Sequence, residues 1–250
     1  MTDARRAPYP AAATTWLVGE QRARVLDLGS GRGGFAAVLH DAGHTVFGLD
    51  RDVAAVAQLA ARLGTRLHVA GQVESLPFLS CHFDVVTASQ TLHRFAPGLA
   101  LTEIARVLRP GGHLAVAFNT RDDTVPWVRR LTMLMREADP QAMGGDFGVE
   151  AVSALTESPY FSRLERRSFR NWVPITRGGL TAMVGRQPWA ASLTEERRAR
   201  LLAEVGDLYD SSARAPEPLL LPFQAACWRA EVDHSGLVLT DDEDALEIRL

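Results

Sequence analysis

A glycine-rich turn between an apolar segment and a helical segment is the part of the sequence with the clearest chemistry. Residues 25–35 read VLDLGSGRGGF, in which Gly29 and Gly31 follow the apolar run and a helix is expected from Phe35. Glycines let the backbone come close to a ligand, and the start of a helix offers unpaired N–H groups. Asp27, just before the first glycine, would repel a pyrophosphate but attract an ammonium or sulfonium group. The pattern predicts a nucleotide-like cofactor and favours S-adenosylmethionine.

The same glycines also fit the fingerprint of dinucleotide-binding proteins. Gly29, Gly31 and Gly34 match G-x-G-x-x-G, and Asp50 follows at about the spacing of a ribose-binding acid. This match alone would equally suit a nicotinamide-dependent oxidoreductase. The choice between the two cofactors therefore depends on the segments that follow the loop.

The first half of the chain alternates short apolar runs with helical patterns, which is typical of a parallel sheet covered on both faces. Beyond Asn119 the alternation becomes irregular and aromatic, which predicts an inserted cap. We expect an α/β fold, namely a Rossmann-like, seven-stranded, mostly parallel sheet with helices on both faces and a helical cap insertion between strands five and six. The predicted strands are 24–28, 45–50, 67–70, 83–89, 113–118, 164–169 and 219–232, and the predicted helices are 9–19, 35–42, 53–63, 99–108 and 194–208.

A single domain is predicted over residues 1–250. Its parts are a leading helical segment (1–23), a cofactor-binding core (24–118), a cap that contacts the substrate (119–162), and the last strands with a C-terminal helix and tail (163–250). A chain of 250 residues is long enough to bury a full core.

Composition excludes several classes of protein. The formal net charge of -3 gives no broad attraction to nucleic acid or to an anionic membrane. All 27 basic residues are arginine, which GC-rich coding explains and which points to a bacterial source. Cys81 and Cys227 lack the spacing of a disulfide scaffold or a zinc site. The sequence shows neither a membrane span of about 20 apolar residues nor a signal peptide, so a cytoplasmic location is expected.

Five segments occur in the order typical of one enzyme family. They are DLGSGRG at 27–33, GLD at 48–50, GQVESLPF at 71–78, FDVVTASQTLH at 83–93 and RVLRPGG at 106–112. Together they resemble the class I S-adenosylmethionine-dependent methyltransferases of the small-molecule type, similar to trans-aconitate and ubiquinone-biosynthesis methyltransferases. The resemblance covers residues 9–118 well and the remainder weakly.

The resemblance implies which residues hold the cofactor. In the family the first segment surrounds the methionine end, an acid at the position of Asp50 binds both ribose hydroxyls, and the third segment closes over adenine. Gln72 stands where an aspartate is usual, but its carbonyl can accept a hydrogen bond from the exocyclic amine while the Val73 N–H serves a ring nitrogen. The predicted cofactor-binding residues are Asp27, Gly29, Ser30, Gly31, Asp50, Arg51, Gln72, Val73 and Ser89.

Structural roles are also open to these acids. Asp50 could cap the helix that begins at Val53, although Asp52 is the better candidate for that cap. Asp27 could accept hydrogen bonds from the amides of the glycine loop, which is compatible with a place near the cofactor. Glu74 is either a solvated acid or a cofactor contact.

His93 is the predicted catalytic residue because it follows strand four, where the family faces the transferred methyl group. A well-placed general base contributes about 100- to 10,000-fold. Methyl transfer depends more on in-line alignment, which can supply roughly 7 to 11 kcal/mol, so His93 either lines the site or acts as a base. A core or helix-capping histidine is the structural alternative.

The substrate contacts are predicted in and before the cap, at Arg94, Arg121 and Trp127. A partly buried arginine could clamp a carboxylate of the acceptor, as the similarity to trans-aconitate methyltransferases suggests. A solvent-facing arginine and a tryptophan that only packs the cap are the alternatives.

The predicted reaction is methyl transfer from S-adenosylmethionine to a small-molecule acceptor by direct displacement, with no metal, nucleic acid or membrane, in a monomer or homodimer. Asp122 and Asp123 are adjacent and point in different directions, which argues against a metal-assisted enzyme. The residues after strand four lack the motif of amino-directed nucleic acid methylases. A catalytically silent cofactor-binding protein, a nicotinamide-dependent oxidoreductase and a protein methyltransferase are the alternatives.

Overall fold

The computed structural model describes residues 9–140, 147–214 and 218–237. This part of the chain contains seven strands and eight α-helices. The strands are β1 Arg24–Leu28, β2 Thr45–Asp50, β3 His68–Ala70, β4 Phe83–Ser89, β5 Leu108–Arg121, β6 Phe161–Ile175 and β7 Leu219–Val232. The helices are α1 Ala11–Val18, α2 Gly34–Asp41, α3 Val53–Leu63, α4 Pro97–Val107, α5 Pro126–Ala138, α6 Phe147–Glu157, α7 Arg177–Gly185 and α8 Glu195–Ser212.

The seven strands form one sheet in the order β3-β2-β1-β4-β5-β7-β6. Strand β1 pairs in parallel with β2 and β4, and the outer pairs β2 with β3 and β4 with β5 are parallel as well. This confirms the predicted Rossmann-like α/β fold, and α5 and α6 form the helical insertion expected between β5 and β6.

Successive residues of the central strands enter two hydrophobic clusters, which explains why these strands are apolar almost throughout. Val25 belongs to the cluster that includes Phe35 of α2, whereas Leu26 belongs to the cluster that includes Ile104 of α4. Because side chains alternate across a strand, the two clusters lie on opposite faces of the sheet. Because both faces of the sheet are covered, the loops that connect its strands and helices lie at the ends of the strands.

Three element boundaries differ clearly from the predictions. Strand β5 begins at Leu108 rather than at residue 113, because the Arg-Pro-Gly-Gly segment forms an irregularity in the ladder: Phe83 pairs with Leu108 and Val85 with His113. Gly111 has a φ of +78° within this irregular segment. Strand β6 and helix α8 are longer than predicted, and both extend into residues whose apolar pattern is weak.

The described residues group into two compact units. The core unit contains residues 9–119, 147–169 and 225–237, and the helical unit contains residues 120–140, 170–214 and 218–224. Helices α5, α7 and α8 of the helical unit pack around Leu131, Leu180 and Val205. The predicted cap is thus divided, with α5 in the helical unit and α6 in the core unit. The predicted single-domain organisation also includes residues 1–8, 141–146, 215–217 and 238–250, which lie outside the described residues.

Two further sequence observations can be placed on the structure. Cys81 and Cys227 are both free thiols, and Cys227 is buried. In the described part of the chain, every helix is too short or too polar to cross a lipid bilayer.

Candidate active site

The glycine loop lies between the carboxyl ends of β1 and β2. The N–H groups of Gly29 and Ser30 both donate to the carbonyl of Leu49, at 2.8 and 3.1 Å, which ties the loop to the end of β2. Gly29 has a φ of +64°, and a Cβ at this position would lie 2.7 Å from Cγ2 of Thr91. Both the conformation and the lack of space therefore require glycine here.

Two neighbouring acids at the end of β2 have different roles. The carboxylate of Asp50 accepts hydrogen bonds from the N–H of Gly31 at 2.8 Å and from the N–H of Asp52 at 2.9 Å. Asp52 accepts from the N–H of Ala54 at 2.8 Å and is the N-cap of α3, which confirms the predicted cap. A carboxylate has about four acceptor positions, so Asp50 keeps capacity for further donors.

Asp27 is buried beneath the glycine loop. Its carboxyl accepts a hydrogen bond from the Thr87 hydroxyl at 2.7 Å and one from the backbone N–H of Ala36 in the first turn of α2. The pKa of Asp27 is raised to about 7, chiefly by burial and to a smaller extent by the nearby Asp50, while the hydrogen bonds from Thr87 and Ala36 act in the opposite direction. The group therefore changes charge close to neutral pH.

A cavity beside Asp50, here called the Asp50 cavity, is open at the carboxyl ends of β1 and β2. It brings together four of the residues predicted to bind the cofactor, and it also includes Arg94, which was predicted to contact the substrate. Its lining consists of Gly29, Leu49, Asp50, Arg51, Gly71, Val73, Glu74, Thr91, Arg94 and Phe95.

The segment that borders this cavity is fastened to α4. The N–H of Leu76 donates to the Glu103 carboxylate at 2.7 Å. Arg106 donates to the carbonyls of Leu76 and Phe78, both at 2.9 Å, and to Glu103 at 2.8 Å. The ion pair between Arg106 and Glu103 is largely buried, with side-chain exposures of 14% and 20%. The arginine that opens the RVLRPGG segment therefore holds the loop over the predicted adenine position.

Sequence reasoning missed Thr91 and left the role of Glu74 open. The buried Thr91 hydroxyl donates to the carbonyl of Leu28 at 2.8 Å, and its methyl group packs where a side chain on Gly29 would lie. Glu74 accepts from the N–H of Ala96, the N-cap of α4, at 2.9 Å. The sequence feature that could have identified Thr91 is its position two residues after the end of β4, the strand that pairs with β1 beside the glycine loop.

A second cavity, here called the His93 cavity, has a volume of about 360 Å³ and lies among the 3₁₀ turn Leu92–Arg94, α4 and α6. Phe95 lines both cavities, so the two adjoin. Burial, and after it the charge of Arg94, lowers the pKa of the His93 imidazole, which is therefore neutral at neutral pH. The lining of the His93 cavity consists of Leu92, His93, Phe95, Pro97, Ala100, Leu101, Ala151 and Ala154.

Ser89 and Gln72, which are predicted to bind the cofactor, are not among the residues that line either cavity. The Tyr9 hydroxyl donates to the carbonyl of Ala117 at 3.1 Å, so the Ser89 hydroxyl is the donor in its 2.9 Å bond to Tyr9. The carbonyl of Gln72 accepts from the N–H of Ser75 at 3.4 Å. The side chain of Ser30 is buried and close to the carbonyl of Leu49.

Two of the predicted substrate contacts belong to the helical unit, whereas both cavity linings are made of core-unit residues. Arg121 donates to the sulfur of Met135 at 3.7 Å, and burial lowers the pKa of its guanidinium. Trp127 is partly buried against the apolar cluster of the helical unit. His93 and Arg94 line the two different cavities, and neither lining includes Arg121 or Trp127.

The acidic pair at Asp122 and Asp123 has a local structural role. Asp122 accepts hydrogen bonds from the N–H and the hydroxyl of Thr124, at 3.2 and 2.5 Å, in the turn before α5. Within residues 9–140, 147–214 and 218–237, histidine, cysteine and acidic side chains nowhere cluster in threes as a metal site would need.

Comparison with known proteins assigns the family. Residues 26–116 match the methyltransferase domain. An uncharacterized methyltransferase-like protein of Schizosaccharomyces pombe is 30% identical over 236 residues, covering 92% of this chain and 91% of the relative. The demethylmenaquinone methyltransferase of Beutenbergia cavernae is 42% identical over 105 residues, which is 42% of each chain. The chain belongs to the class I S-adenosylmethionine-dependent methyltransferases.

A solved structure supports the fold independently. The structure from Anaeromyxobacter dehalogenans, of a protein assigned as a type II methyltransferase, has a TM-score of 0.61 at 21% identity and covers 90% of this chain and 97% of its own. The likeness extends through the weakly matching second half of the sequence, where sequence motifs gave little information.

Proposed function

We propose that the protein transfers the methyl group of S-adenosylmethionine to a small-molecule acceptor held in the His93 cavity, releasing S-adenosylhomocysteine by direct displacement. The observation that carries this proposal is the pair of cavities that adjoin at Phe95. Ligands of open α/β sheets bind at the carboxyl ends of the strands, where both cavities lie. The relative from Beutenbergia cavernae, named for the small molecule demethylmenaquinone, supports a small-molecule acceptor.

The residues of the Asp50 cavity fit the cofactor that the family uses. The Asp50 carboxylate can accept from two ribose hydroxyls while it keeps its bonds to Gly31 and Asp52. Gly29 and Gly71 leave room for the ligand, and Leu49 and Val73 offer apolar contact to a base. The bound cofactor would supply a methyl group on a positively charged sulfur, which leaves as a neutral thioether.

The proposal also assigns roles to two other residues that the sequence singles out. Arg94 lines the Asp50 cavity, so we assign it to the cofactor rather than to the acceptor. Asp27 ties the first turn of α2, which follows the glycine loop, to β1 through its bond to the N–H of Ala36. The roles of Ser30, Gly31, Gln72 and Ser89 toward the cofactor and of Arg121 and Trp127 toward the acceptor stay predictions, as do the cytoplasmic location and the oligomeric state.

Among the described residues that line the His93 cavity, His93 is the titratable side chain, so it can accept a proton beside the acceptor. A neutral imidazole has one nitrogen that accepts and one that donates. Because methyl transfer needs alignment, Phe95 and Leu92 position the acceptor while His93 takes up its proton.

Isothermal titration with S-adenosylhomocysteine tests the cofactor site. Asp50→Asn keeps the size of the side chain but removes the charge that strengthens the ribose bonds, so its affinity should fall by about 10- to 100-fold. Asp52→Asn is the matched control, because asparagine is an equally good helix cap and Asp52 lies outside the cavity lining. Its affinity should match that of the unaltered protein.

Each alternative function has its own outcome in this experiment. Binding of NAD without S-adenosylhomocysteine would support the oxidoreductase and overturn the proposal. Tight binding of S-adenosylhomocysteine without turnover of any acceptor would support the catalytically silent protein. Equal losses in Asp50→Asn and Asp52→Asn would mean that the end of β2 acts only through stability.

A further inference from the structure

We propose that the acceptor is an uncharged, largely apolar molecule that presents a hydroxyl group of phenol or enol type to His93. This inference rests on the proposed function and adds the chemical class of the acceptor. It departs from the carboxylate acceptor expected from the sequence, for which an arginine clamp was predicted.

The lining of the His93 cavity favours an apolar acceptor. Among the described residues that line it, every side chain apart from that of His93 is apolar. Its volume of about 360 Å³ is within the range of small-molecule sites, which extends from about 300 to 1,000 Å³. The Phe95 ring contributes an aromatic wall. A molecule of one or two fused rings suits such a cavity.

A carboxylate would be poorly accommodated there. An ionised group moved into an apolar cavity loses its hydration, and this cost is recovered only by a paired cation or several hydrogen bonds. Among the described residues, no arginine lines the His93 cavity, and Arg94 lines the Asp50 cavity instead. Arg94, one of the two arginines predicted to contact the acceptor, therefore lines the cavity proposed for the cofactor.

His93, the one polar side chain that the described part of the chain contributes to this lining, defines the reactive atom. As the acceptor oxygen bonds to the methyl carbon, the carbon–sulfur bond breaks, its electron pair stays on sulfur, and the hydroxyl proton passes to the His93 imidazole. An imidazole is a weak base, with an ordinary pKa near 6.5, so His93 suits an acidic hydroxyl with a pKa near that of a phenol, about 10. An aliphatic alcohol holds its proton too tightly for this base.

Three naphthalene compounds with the same ring system test the class of acceptor: 2-naphthol, 2-naphthylmethanol and 2-naphthoic acid. Binding to the protein saturated with S-adenosylhomocysteine is measured by titration, and methyl transfer is measured as formation of S-adenosylhomocysteine from S-adenosylmethionine. We expect 2-naphthol to bind at least about tenfold more tightly than 2-naphthoate, because the carboxylate loses hydration without a partner. The phenol should also be methylated faster than either other compound.

The result separates the acceptor class from the proposed function. Tighter binding or faster methylation of 2-naphthoate, or no binding of 2-naphthol at millimolar concentration, would overturn the acceptor class while S-adenosylhomocysteine still binds. Failure of S-adenosylhomocysteine to bind would instead overturn the proposed function.

Matched variants of α6 locate the acceptor. Ala154 lines the His93 cavity, whereas the neighbouring Ser153 is exposed. Ala154→Phe should fill the cavity and weaken 2-naphthol binding by at least about tenfold, with S-adenosylhomocysteine affinity unchanged. Ser153→Phe should leave both affinities unchanged. Equal 2-naphthol affinity in the two variants would place the acceptor elsewhere.

A substitution of His93 separates proton transfer from shape. His93→Gln retains a hydrogen-bonding side chain without a base, so turnover of 2-naphthol should fall by about 100- to 10,000-fold. Its affinity for 2-naphthol should change much less. The rate of the unaltered protein should rise with pH as the imidazole loses its proton, and this rise should be absent in His93→Gln. An unchanged pH profile would overturn the role of His93 as the base.

Discussion

The Asp50 cavity and the His93 cavity adjoin at Phe95, yet they are built from different parts of the polypeptide. The Asp50 cavity is shaped by glycines, by backbone groups and by the carboxylate of Asp50, all fixed by hydrogen bonds to strands and helix starts. The His93 cavity is shaped by apolar side chains of a short turn and two helices. One cavity is defined by backbone geometry and the other by side-chain volume.

This difference explains how the two sites can change. A site made of backbone and glycine tolerates few substitutions, because each one alters a conformation that only glycine adopts readily. A site made of apolar side chains can be reshaped by exchanging one volume for another, at a cost of stability alone. Under the proposed function, one cofactor site of this kind is compatible with acceptors of different shape.

The largest expected effect is that of a substitution at Gly29, which would disrupt the glycine loop of the Asp50 cavity. Gly29→Ala places a side chain at a φ of +64° and against Thr91, and should destabilise the fold by about 2 to 5 kcal/mol. Gly31→Ala is the matched control, because its φ is +52° but a Cβ there meets nothing within 4 Å. Its cost should be limited to about 1 to 2 kcal/mol. Urea denaturation measures both; equal costs would show that the contact with Thr91 is unimportant.

The buried acid beneath the loop makes stability depend on pH. The folded pKa of Asp27, raised to about 7 mainly by burial, lies above the unfolded value, so the folded protein binds more protons between the two pKa values. The unfolding free energy should therefore fall as pH rises from about 4 to about 7, by on the order of 3 kcal/mol from this group. The test is denaturation at pH 5 and pH 7.5. Asp27→Asn should lose this part of the slope, and an unaltered slope would contradict the assignment.

Volume substitutions in the two cavities should separate stability from cofactor affinity. Leu101→Ala removes a buried side chain from the His93 cavity and should cost about 3 kcal/mol, while S-adenosylhomocysteine affinity changes less than about twofold. Val73→Ala, in the Asp50 cavity, should cost about 1 to 2 kcal/mol and also weaken S-adenosylhomocysteine binding. Calorimetric titration and urea denaturation of both variants provide the comparison. Weaker cofactor binding in Leu101→Ala would show that the cavities are not independent.

The ion pair that fastens the loop bordering the Asp50 cavity has the next largest expected effect. Arg106→Met leaves the Glu103 carboxylate without its cationic partner, with the N–H of Leu76 still donating to it, and removes the Arg106 donor from the carbonyls of Leu76 and Phe78. This change should cost about 2 kcal/mol. Urea denaturation gives the cost, and titration should show weaker S-adenosylhomocysteine binding. The double variant with Glu103→Gln should cost less than the sum of the single changes, since the uncompensated charge is removed. Strict additivity would mean that the two side chains are not coupled.

The contrast between the cavities also explains what the sequence could predict. The glycine loop, Asp50 and the cap at Asp52 follow from local spacing, because backbone conformation and helix capping are decided by neighbouring residues. The lining of the His93 cavity combines residues near 92–101 with Ala151 and Ala154, which are distant in sequence and have no distinctive type. Arg94 is predicted to contact the acceptor from its position after β4, but this position does not show that Arg94 lines the Asp50 cavity.

The start of β5 and the grouping of helices in the helical unit also could not be predicted from local sequence. The start of β5 was misplaced because Pro110 and Gly111 indicate a turn, whereas the paired strand continues through an irregularity at that point. The helical unit collects α5, α7 and α8 from two separate connections, which no local pattern links. These features depend on pairing between distant segments.

The smallest expected effect concerns an ion pair that lies outside the linings of both cavities. Arg163 and Glu231 are 3.4 Å apart, with side-chain exposures of 81% and 43%, so water screens their attraction and both side chains remain mobile. Glu231→Gln should change the unfolding free energy by less than about 0.5 kcal/mol and leave cofactor binding unchanged. Denaturation at low and high salt checks this, since any contribution should disappear at high salt. If Glu231→Gln lowered the unfolding free energy as much as Arg106→Met does, exposure would not distinguish the two ion pairs. The role of Arg106 in holding the loop would then depend on its charge rather than on its burial.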